Sequence, residues 1–385
     1  MKMIGTKTTT TKRFILLISL FLWNITLSND LNAQGKSEHV KTMPAQLTFL
    51  HPLGTNGMSA GETVNNFSIN MLVGMSAGVR GAELGGLANL SKGDIRGLQV
   101  AGLANSSFGY LNGLQAAGLA NFNKGPVNGL QVAGLINATT APVIGAQLAG
   151  LVNTSTKDVH GFQASGIVNT TVGRMQGLQL GLVNVAIEEV SGSQIGLVNF
   201  TRKINGFQLG LVNVADSVGK GAGFGLINYY KNGYHRFEIE SNETFYANAT
   251  FKSGVEKFYV IYTVGFKTDQ DKVFWAPGIG FGGLFRLSQN WDLNTDLISR
   301  HVNEDESWTD ELNMLNTLRL NFAHNFTDKF ALYGGPSFNM IISGIKNEEG
   351  MVIGDSFAPS WDFYDKIGRK NRVKMFIGFN AGIRL

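Results

Sequence analysis

Apolar and polar residues alternate with a period of two through the middle of the chain. In the segment GLQLGLVN (177–184), Leu178, Leu180 and Leu182 fall on one face, while glycine, glutamine and valine fall on the other. A period of two is that of a β-strand. Glycine at this density disfavours a helix, because each one costs about 1 kcal/mol relative to alanine in a helix interior. The pattern therefore predicts strands.

The phrase Gly-Leu-Gln-x-(Ala)-Gly-Leu-x-Asn recurs through this region at intervals of 14–16 residues. Serine, asparagine, aspartate, glycine and proline fill the gaps between copies, as is typical of turns. Where a copy carries the extra alanine, such as Ala101, its leucines share a face only if the strand bulges there. The first glycines of the copies are Gly81, Gly97, Gly113, Gly129, Gly145, Gly161, Gly177, Gly192, Gly206 and Gly221.

Two architectures can use this repeat. In a parallel solenoid each repeat is one coil, and the glutamines and asparagines stack in ladders. In an antiparallel sheet each repeat is one strand and one turn. After the first copy the phrases carry almost no charge, whereas residues such as Lys124, Arg174 and Glu188 lie between them. Because a strand that crosses a bilayer needs about 9–11 residues, this placement of charge favours transmembrane strands whose leucines face lipid.

Strands are also predicted on both sides of the repeats. In WDLNTDLISR (291–300), Trp291, Leu293 and Leu297 alternate with polar residues, which is the pattern of outer-membrane barrel strands. We predict about eight such strands over 236–385, and further strands at QLTFLHPL (46–53) and FSINMLVG (67–74). The final segment, KMFIGFNAGIRL (374–385), is predicted to pair with an early strand, since an open edge would leave backbone groups unpaired in lipid.

These elements predict an all-β protein, namely a transmembrane antiparallel β-barrel of roughly 18–20 strands, about ten of them the 14–16-residue repeats. The alternative is a repeat β-solenoid joined to a smaller barrel. The predicted regions are a signal peptide (1–33), a lead-in with a first strand (34–64), the repeat β region (65–230) and the C-terminal barrel strands (231–385).

The beginning of the sequence has the features of a secretory signal peptide. Lysine and arginine residues precede a short apolar run (14–22), and small and polar residues follow it. The run is shorter than the ~20 residues that a membrane-spanning helix needs. We therefore predict export, with cleavage after Ala33 or, as the alternative, after Ser28.

The repeats GLQVAGLAN and GLQLGLVN, the lead-in HPLGTNG with FSINMLVG, and the closing GFNAGIRL resemble surface-repeat outer-membrane proteins of Gram-negative bacteria, those of Bacteroidota especially. The resemblance covers nearly the whole chain after the predicted signal peptide. It implies an exported β-protein of the cell outer membrane, whose partners would be outer-membrane lipid and the barrel-assembly machinery. It implies no substrate and no catalytic residue.

Composition narrows the function classes. An apolar content of 43% with 16% charged residues excludes a disordered chain. The formal net charge is only +4 and the basic residues are scattered, so we predict no nucleic-acid partner. The sequence GMSAG around Ser76 matches a nucleophile elbow and GIGFGG (278–283) matches a dinucleotide fingerprint, but both need a following helix where the pattern predicts turn or strand. We therefore predict a protein that is not an enzyme and needs no cofactor.

The predicted function is that of a passive channel or a structural component of the outer membrane. The late strands carry charged residues on the face opposite the apolar one, and in a barrel that face is the lumen. Charged lumen residues tune which solutes pass through a barrel. The residues predicted to face the lumen are Asp292, Asp296, Arg300 and Arg319.

The alternative function is that of a surface binding protein or adhesin that acts through its loops. The supporting feature is an acidic loop that contains a tryptophan, between two of the late strands. We expect a loop of this kind to contact a glycan or a host protein, because binding residues often lie on loops that a rigid scaffold positions. The residues predicted to make the contact are Glu304, Asp305, Glu306 and Trp308.

Overall fold

The computed structural model describes residues 41–269, 272–347, 350–354 and 356–385, and the predicted signal peptide lies outside these residues. The described chain is all-β, as predicted. It folds as a parallel β-solenoid followed by a small closed barrel. The single barrel of roughly 18–20 strands is therefore wrong, and the alternative architecture is confirmed.

The solenoid extends to Tyr230 and is preceded by a short antiparallel pair and a 3-10 helix (Gly57–Glu62). The segment 46–53, predicted to be a strand, lies largely in β1. The strands are β1 (Lys41–Leu50), β2 (Leu53–Gly54), β3 (Thr63–Ser76), β4 (Gly78–Gly85), β5 (Ala88–Ser91), β6 (Ile95–Ala101), β7 (Ala104–Ser107), β8 (Leu111–Ala117), β9 (Ala120–Asn123), β10 (Val127–Ala133), β11 (Ile136–Thr139), β12 (Val143–Ala149), β13 (Val152–Ser155), β14 (Val159–Ser165), β15 (Val168–Thr171), β16 (Met175–Leu180), β17 (Val183–Val190), β18 (Ser193–Ile195), β19 (Val198–Ile204), β20 (Phe207–Leu209), β21 (Val212–Val218), β22 (Ala222–Phe224) and β23 (Ile227–Tyr230).

Consecutive coils of the solenoid pair in parallel, each residue lying opposite its equivalent one repeat away. Strand β10 lies between β8 and β12, so that Gln131 is opposite both Gln115 and Gln147. Each coil contributes two strands: the first carries the glutamine, as in β10, and the second carries the asparagine, as in β11. The prediction of one antiparallel strand per repeat is therefore wrong.

Polar ladders run through the solenoid interior beside an aliphatic column, whose buried residues include Ile95, Leu111, Val127, Val143 and Val159. Gln131 donates from Nε2 to Oε1 of Gln115 at 2.9 Å. Asn137 donates from Nδ2 to Oδ1 of Asn153 at 3.0 Å and to the carbonyl oxygen of Leu148 at 2.7 Å. Each amide thus bonds to its neighbours in the stack, and this satisfies polar groups that would otherwise be costly to bury. The glutamine ladder ends at Glu83, which replaces glutamine in the first copy and accepts from Gln99.

The second Gly-Leu step of the phrase is a corner between the two strands of a coil. Strand β10 ends at Ala133 and β11 begins at Ile136, so Gly134 and Leu135 form the turn. A Cβ atom added to Gly134 would lie 2.0 Å from the carbonyl oxygen of Gly118 in the neighbouring coil, so the stack requires glycine here. The bulge predicted at Ala101 is in fact such a corner.

The corner residue after the glycine is exposed in every copy, and these residues form a column along one edge of the solenoid. We call this column the leucine edge. Each side chain in it is between 39% and 50% exposed. The leucine edge consists of Leu87, Leu103, Leu119, Leu135, Leu151, Ile167, Leu182, Leu197, Leu211 and Leu226.

The repeat leucines project outwards, although the strand that was to carry them is not continuous, and their contact with lipid stays a prediction. Leu178 and Leu180 project outwards from β16 on either side of the buried Gln179, whereas Leu182 lies on the corner. The charges between the phrases lie away from this corner: Lys124 and Arg174 lie on the second turn of their coils, between the asparagine strand and the next glutamine strand, and Glu188 lies in β17. The absence of charge from the repeat phrases is therefore not evidence for an antiparallel barrel, because a solenoid that places its charges away from the corner gives the same pattern.

The barrel follows the solenoid and consists of long antiparallel strands with two short accessory strands. The segment GIGFGG (278–283) lies within one of these strands, as predicted, and Ser76 lies at the end of β3. The strands are β24 (Tyr234–Asn242), β25 (Ala247–Val255), β26 (Phe258–Asp269), β27 (Lys272–Arg286), β28 (Trp291–His301), β29 (Asn303–Glu304), β30 (Asn313–Asn325), β31 (Ala331–Ser343), β32 (Tyr364–Ile367) and β33 (Arg372–Arg384).

Within the described residues eight strands close the barrel, which confirms the predicted number of late strands. The final strand does close it, since β33 pairs with β24 and Ile383 lies opposite Ile239. Its partner is the first barrel strand, however, and not a strand before the repeats. The reason is that the intervening coils satisfy their backbone groups by stacking and leave no place in the barrel wall.

The last coil of the solenoid packs against the outside of the barrel wall. Ser253 of β25 donates from Oγ to the carbonyl oxygen of Asn228 at 2.7 Å. Val260, which projects outwards from β26, is fully buried. Val255 packs against the end of the aliphatic column of the solenoid. The barrel wall therefore covers the open end of the stack.

Candidate functional site in the barrel and its loops

The residues predicted to face the lumen all lie inside the barrel. Asp292, Asp296, Arg300 and Arg319 are at most 3% exposed. Each projects inwards because the strands alternate, with apolar neighbours such as Leu297 directed outwards. The structure shows in addition that these charges are paired with partners from other strands.

One cluster of interior charges surrounds Lys252. Its Nζ atom lies 2.7 Å from Oδ2 of Asp296 and 3.1 Å from Oε2 of Glu238. Glu238 also accepts from Nε of Arg384 at 2.7 Å. Tyr259 donates from its hydroxyl to Oδ1 of Asp296 at 2.8 Å. Carboxylates and cations here are held by both charge and hydrogen bonds, which buried charges require.

A second cluster surrounds Glu240. Its Oε1 atom forms an ion pair with Arg319 and lies 3.6 Å from Nη2 of Arg300. Its Oε2 atom accepts from the hydroxyl of Tyr333 at 2.9 Å. Asp292 lies apart from both clusters and accepts from Nδ2 of Asn325 at 2.7 Å. A single carboxylate therefore faces two guanidinium groups in the second cluster.

Apolar side chains fill the barrel interior towards the ends of these clusters. At the end with the long loops, Phe245, Phe274 and Phe376 form a buried group together with Phe357, which reaches in from the segment between β31 and β33. Towards the short turns, Tyr234, Tyr259 and Leu284 belong to another buried group. An eight-stranded barrel has an interior just wide enough for side chains to fill. Side chains thus fill the middle and the long-loop end of the interior, while a polar cavity of about 440 Å³ lined by Tyr234, Asp292 and Arg384 lies at the end with the short turns.

The predicted loop contacts lie together at the end with the long loops, but most of their carboxylate oxygens already accept hydrogen bonds from neighbouring residues. Glu304 accepts from Nδ2 of Asn313 at 2.9 Å, and Glu306 accepts from the hydroxyl of Thr309 at 2.7 Å. Asp305 is exposed, and its Oδ1 atom accepts weakly, at 3.4 Å, from the backbone of β27. The ring of Trp308 stacks on that of His301, with centroids 4.4 Å apart, and remains 53% exposed.

Sequence reasoning missed several residues of this region. Glu238 and Glu240 alternate with Phe237 and Ile239, a signal equal to that of the later strands. Their partners have no local signal, since Glu238 pairs with Lys252 on the neighbouring strand and Glu240 pairs with Arg319 on a strand distant in sequence. The loop between β31 and β33 was also missed. It exposes Trp361, Phe363 and Tyr364, and Trp361 donates from Nε1 to the carbonyl oxygen of Ile377 at 2.9 Å.

Comparison with known proteins does not identify the chain. No protein-family model, no curated protein and no solved structure matches it. Within the described residues, no histidine, aspartate and glutamate side chains form a group of three or more able to hold a metal ion. No helix in the described ranges has the length and apolar character needed to cross a membrane.

Proposed function

We propose that this protein is a surface binding protein of an outer membrane, in which the barrel is a closed anchor and the long loops form the binding surface. The observation that carries the proposal is the filled interior, where paired charges and buried aromatic side chains occupy the space that a solute would need. A passive channel is the less favoured function for this reason.

The outer wall of the barrel supports insertion into a membrane. Its outward-facing side chains are apolar and exposed, which is unusual for a surface in contact with water. Trp291 projects outwards near the short turns, and Trp275 near the long loops, as in the aromatic belts of membrane barrels. Apolar wall residues with more than 40% exposure include Phe237, Phe251, Leu297, Leu320, Phe338 and Ile377.

The loops support a binding role because they hold large aromatic side chains exposed and in fixed positions. Trp308 is stacked on His301, and Trp361 is held by its hydrogen bond to β33. Asp365 and Arg372 form an ion pair beside the second loop. Exposed aromatic residues held in this way supply contact area at low entropic cost and are enriched at binding hot spots. A glycan or a protein with apolar faces would fit this surface.

The experiment uses the full-length protein in lipid nanodiscs and in planar bilayers. Binding to a glycan array and to candidate surface proteins should fall at least about tenfold in the double variant Trp308→Ala with Trp361→Ala, since hot-spot aromatics carry most of the binding energy. The control is Phe326→Ala, which removes an aromatic side chain that is 56% exposed near the short turns. Stable conductance steps in the planar bilayer would contradict the closed anchor, and binding that survives the double variant would contradict the loop surface.

A further inference from the structure

The leucine edge gives the solenoid an apolar side. Each of its ten corners is built from glycine, alanine, serine, phenylalanine and branched aliphatic residues, and none contains a charge. The exposed side chains repeat at the spacing of neighbouring parallel strands, about 4.8 Å, so the edge is continuous over roughly 45 Å. Soluble proteins usually expose apolar residues singly and rarely in large continuous patches. A continuous apolar surface of this length therefore needs a partner or a membrane to cover it.

The charges of the solenoid lie on the opposite edge. Lys157 and Asp158 occupy the second turn of the coil whose leucine-edge residue is Leu151. Lys124 and Arg174 lie on the equivalent turns of other coils, and Lys203 lies near the end of β19. The solenoid is therefore amphipathic as a whole. Segregation of apolar and charged residues onto opposite sides is the feature by which an element lies in a membrane interface.

The apolar surface of the solenoid continues onto the outer wall of the barrel. Phe224 of β22 stacks on Phe258 and on Phe281, with ring centroids 5.3 Å apart in both pairs. Phe281 also lines the groove of about 640 Å³ that runs along the last coils beside the leucine edge. On the barrel, Phe281 lies opposite Leu297, which is 58% exposed. The two apolar surfaces therefore meet without a polar boundary.

We propose that the leucine edge inserts into the hydrocarbon of the same membrane that the barrel spans, so that the solenoid lies along the membrane with its charged edge in water. The occupant of the edge is lipid acyl chains. This inference rests on the proposed function, because it needs the barrel to lie in a membrane. Lipid is favoured over a second copy of the chain because the edge is continuous with the wall that lipid would cover.

The test is depth-dependent quenching, and the cysteine-free sequence allows single labels. Leu151→Cys on the leucine edge, Lys157→Cys on the opposite edge of the same coil, and Leu297→Cys on the barrel wall are each labelled with nitrobenzoxadiazole in the full-length protein. The variants are placed in phosphatidylcholine nanodiscs that contain lipids with a nitroxide on the acyl chain. We expect the label at Leu151 to be quenched nearly as strongly as that at Leu297, and several-fold more than that at Lys157.

The three labels separate this inference from the function on which it rests. Quenching at Leu297 together with a Leu151 label that behaves like the Lys157 label would overturn lipid insertion of the edge and leave the membrane anchor intact. A Leu151 label that is shielded from water without lipid quenching, in a concentration-dependent way, would also overturn it in favour of a second copy. If the Leu297 label is not quenched, the barrel does not span the membrane and both proposals fail.

Discussion

Replacing Glu240 by alanine should lower the free energy of unfolding of the barrel by about 3–5 kcal/mol, because it leaves buried charges without a partner. The carboxylate is 3% exposed and faces Arg319 and Arg300, each about 1% exposed. Its removal also takes away the acceptor of the Tyr333 hydroxyl. Breaking one side of a buried pair costs more than the pair itself contributes, since the remaining ions stay out of water.

The measurement is urea unfolding in detergent micelles or liposomes. Unfolding is monitored by tryptophan fluorescence and by electrophoresis without heating, in which the folded barrel migrates faster than the unfolded chain. The matched control is Glu256→Ala, which breaks an ion pair with Arg286 in which both side chains are largely exposed. An exposed pair contributes about 0–1 kcal/mol, so the control should unfold almost like the parent protein. Equal stability of the two variants would show that the interior charges are solvated, as they would be in an open lumen.

A second large effect is expected from Glu83, which should make the solenoid less stable as the pH rises. Burial raises the pKa of the Glu83 carboxyl to about 7, although hydrogen bonds from Gln99 and Asn70 act in the opposite direction. The unfolded chain releases this proton near its ordinary pKa of about 4.5. Between these two values the folded state holds an extra proton, so stability falls as the pH rises from about 4.5 to about 7.

The variant Glu83→Gln removes this dependence, since the amide does not titrate. Relative to the parent, its free energy of unfolding should rise by roughly 3 kcal/mol between pH 4 and pH 8. The measurement is urea unfolding of the full-length protein at both pH values, followed by circular dichroism. Other titrating groups contribute equally to the two proteins and drop out of the difference. A difference that stays constant over this range would mean that Glu83 is ionised in the fold.

The barrel could be predicted from the sequence because its strands alternate over long stretches and end in turns. Alternation alone could not distinguish the solenoid from a barrel, since the strands of both have a period of two. The deciding feature is the corner at residues such as Gly134 and Leu135, where the alternation changes phase. A bulge within one strand and a corner between two strands produce the same sequence pattern at these residues. Only the way in which neighbouring repeats pair distinguishes the two structures.

The candidate site also has features that the sequence predicts and features that it does not. The inward direction of Asp296 and Arg319 follows from local alternation and was predictable. Their partners were not, since Lys252 and Glu240 lie on strands distant in sequence and meet them only when the barrel closes. The packed interior is likewise a property of a barrel of eight strands, and a barrel of 18–20 strands would have left a wide lumen. The number of strands is therefore the feature on which the proposal of a closed anchor depends.

The parallel stacking of the repeats is the central claim, because it removes them from the barrel wall and leaves a barrel small enough to be closed. Ile144 and His160 are exposed and lie opposite each other on β12 and β14. Spin labels on cysteines at both positions should show strong dipolar broadening in the full-length protein, since adjacent strands are about 4.8 Å apart. In an antiparallel barrel the same two positions would lie on opposite sides of the membrane, about 30 Å apart, and the spectrum would equal the sum of the two single-label spectra.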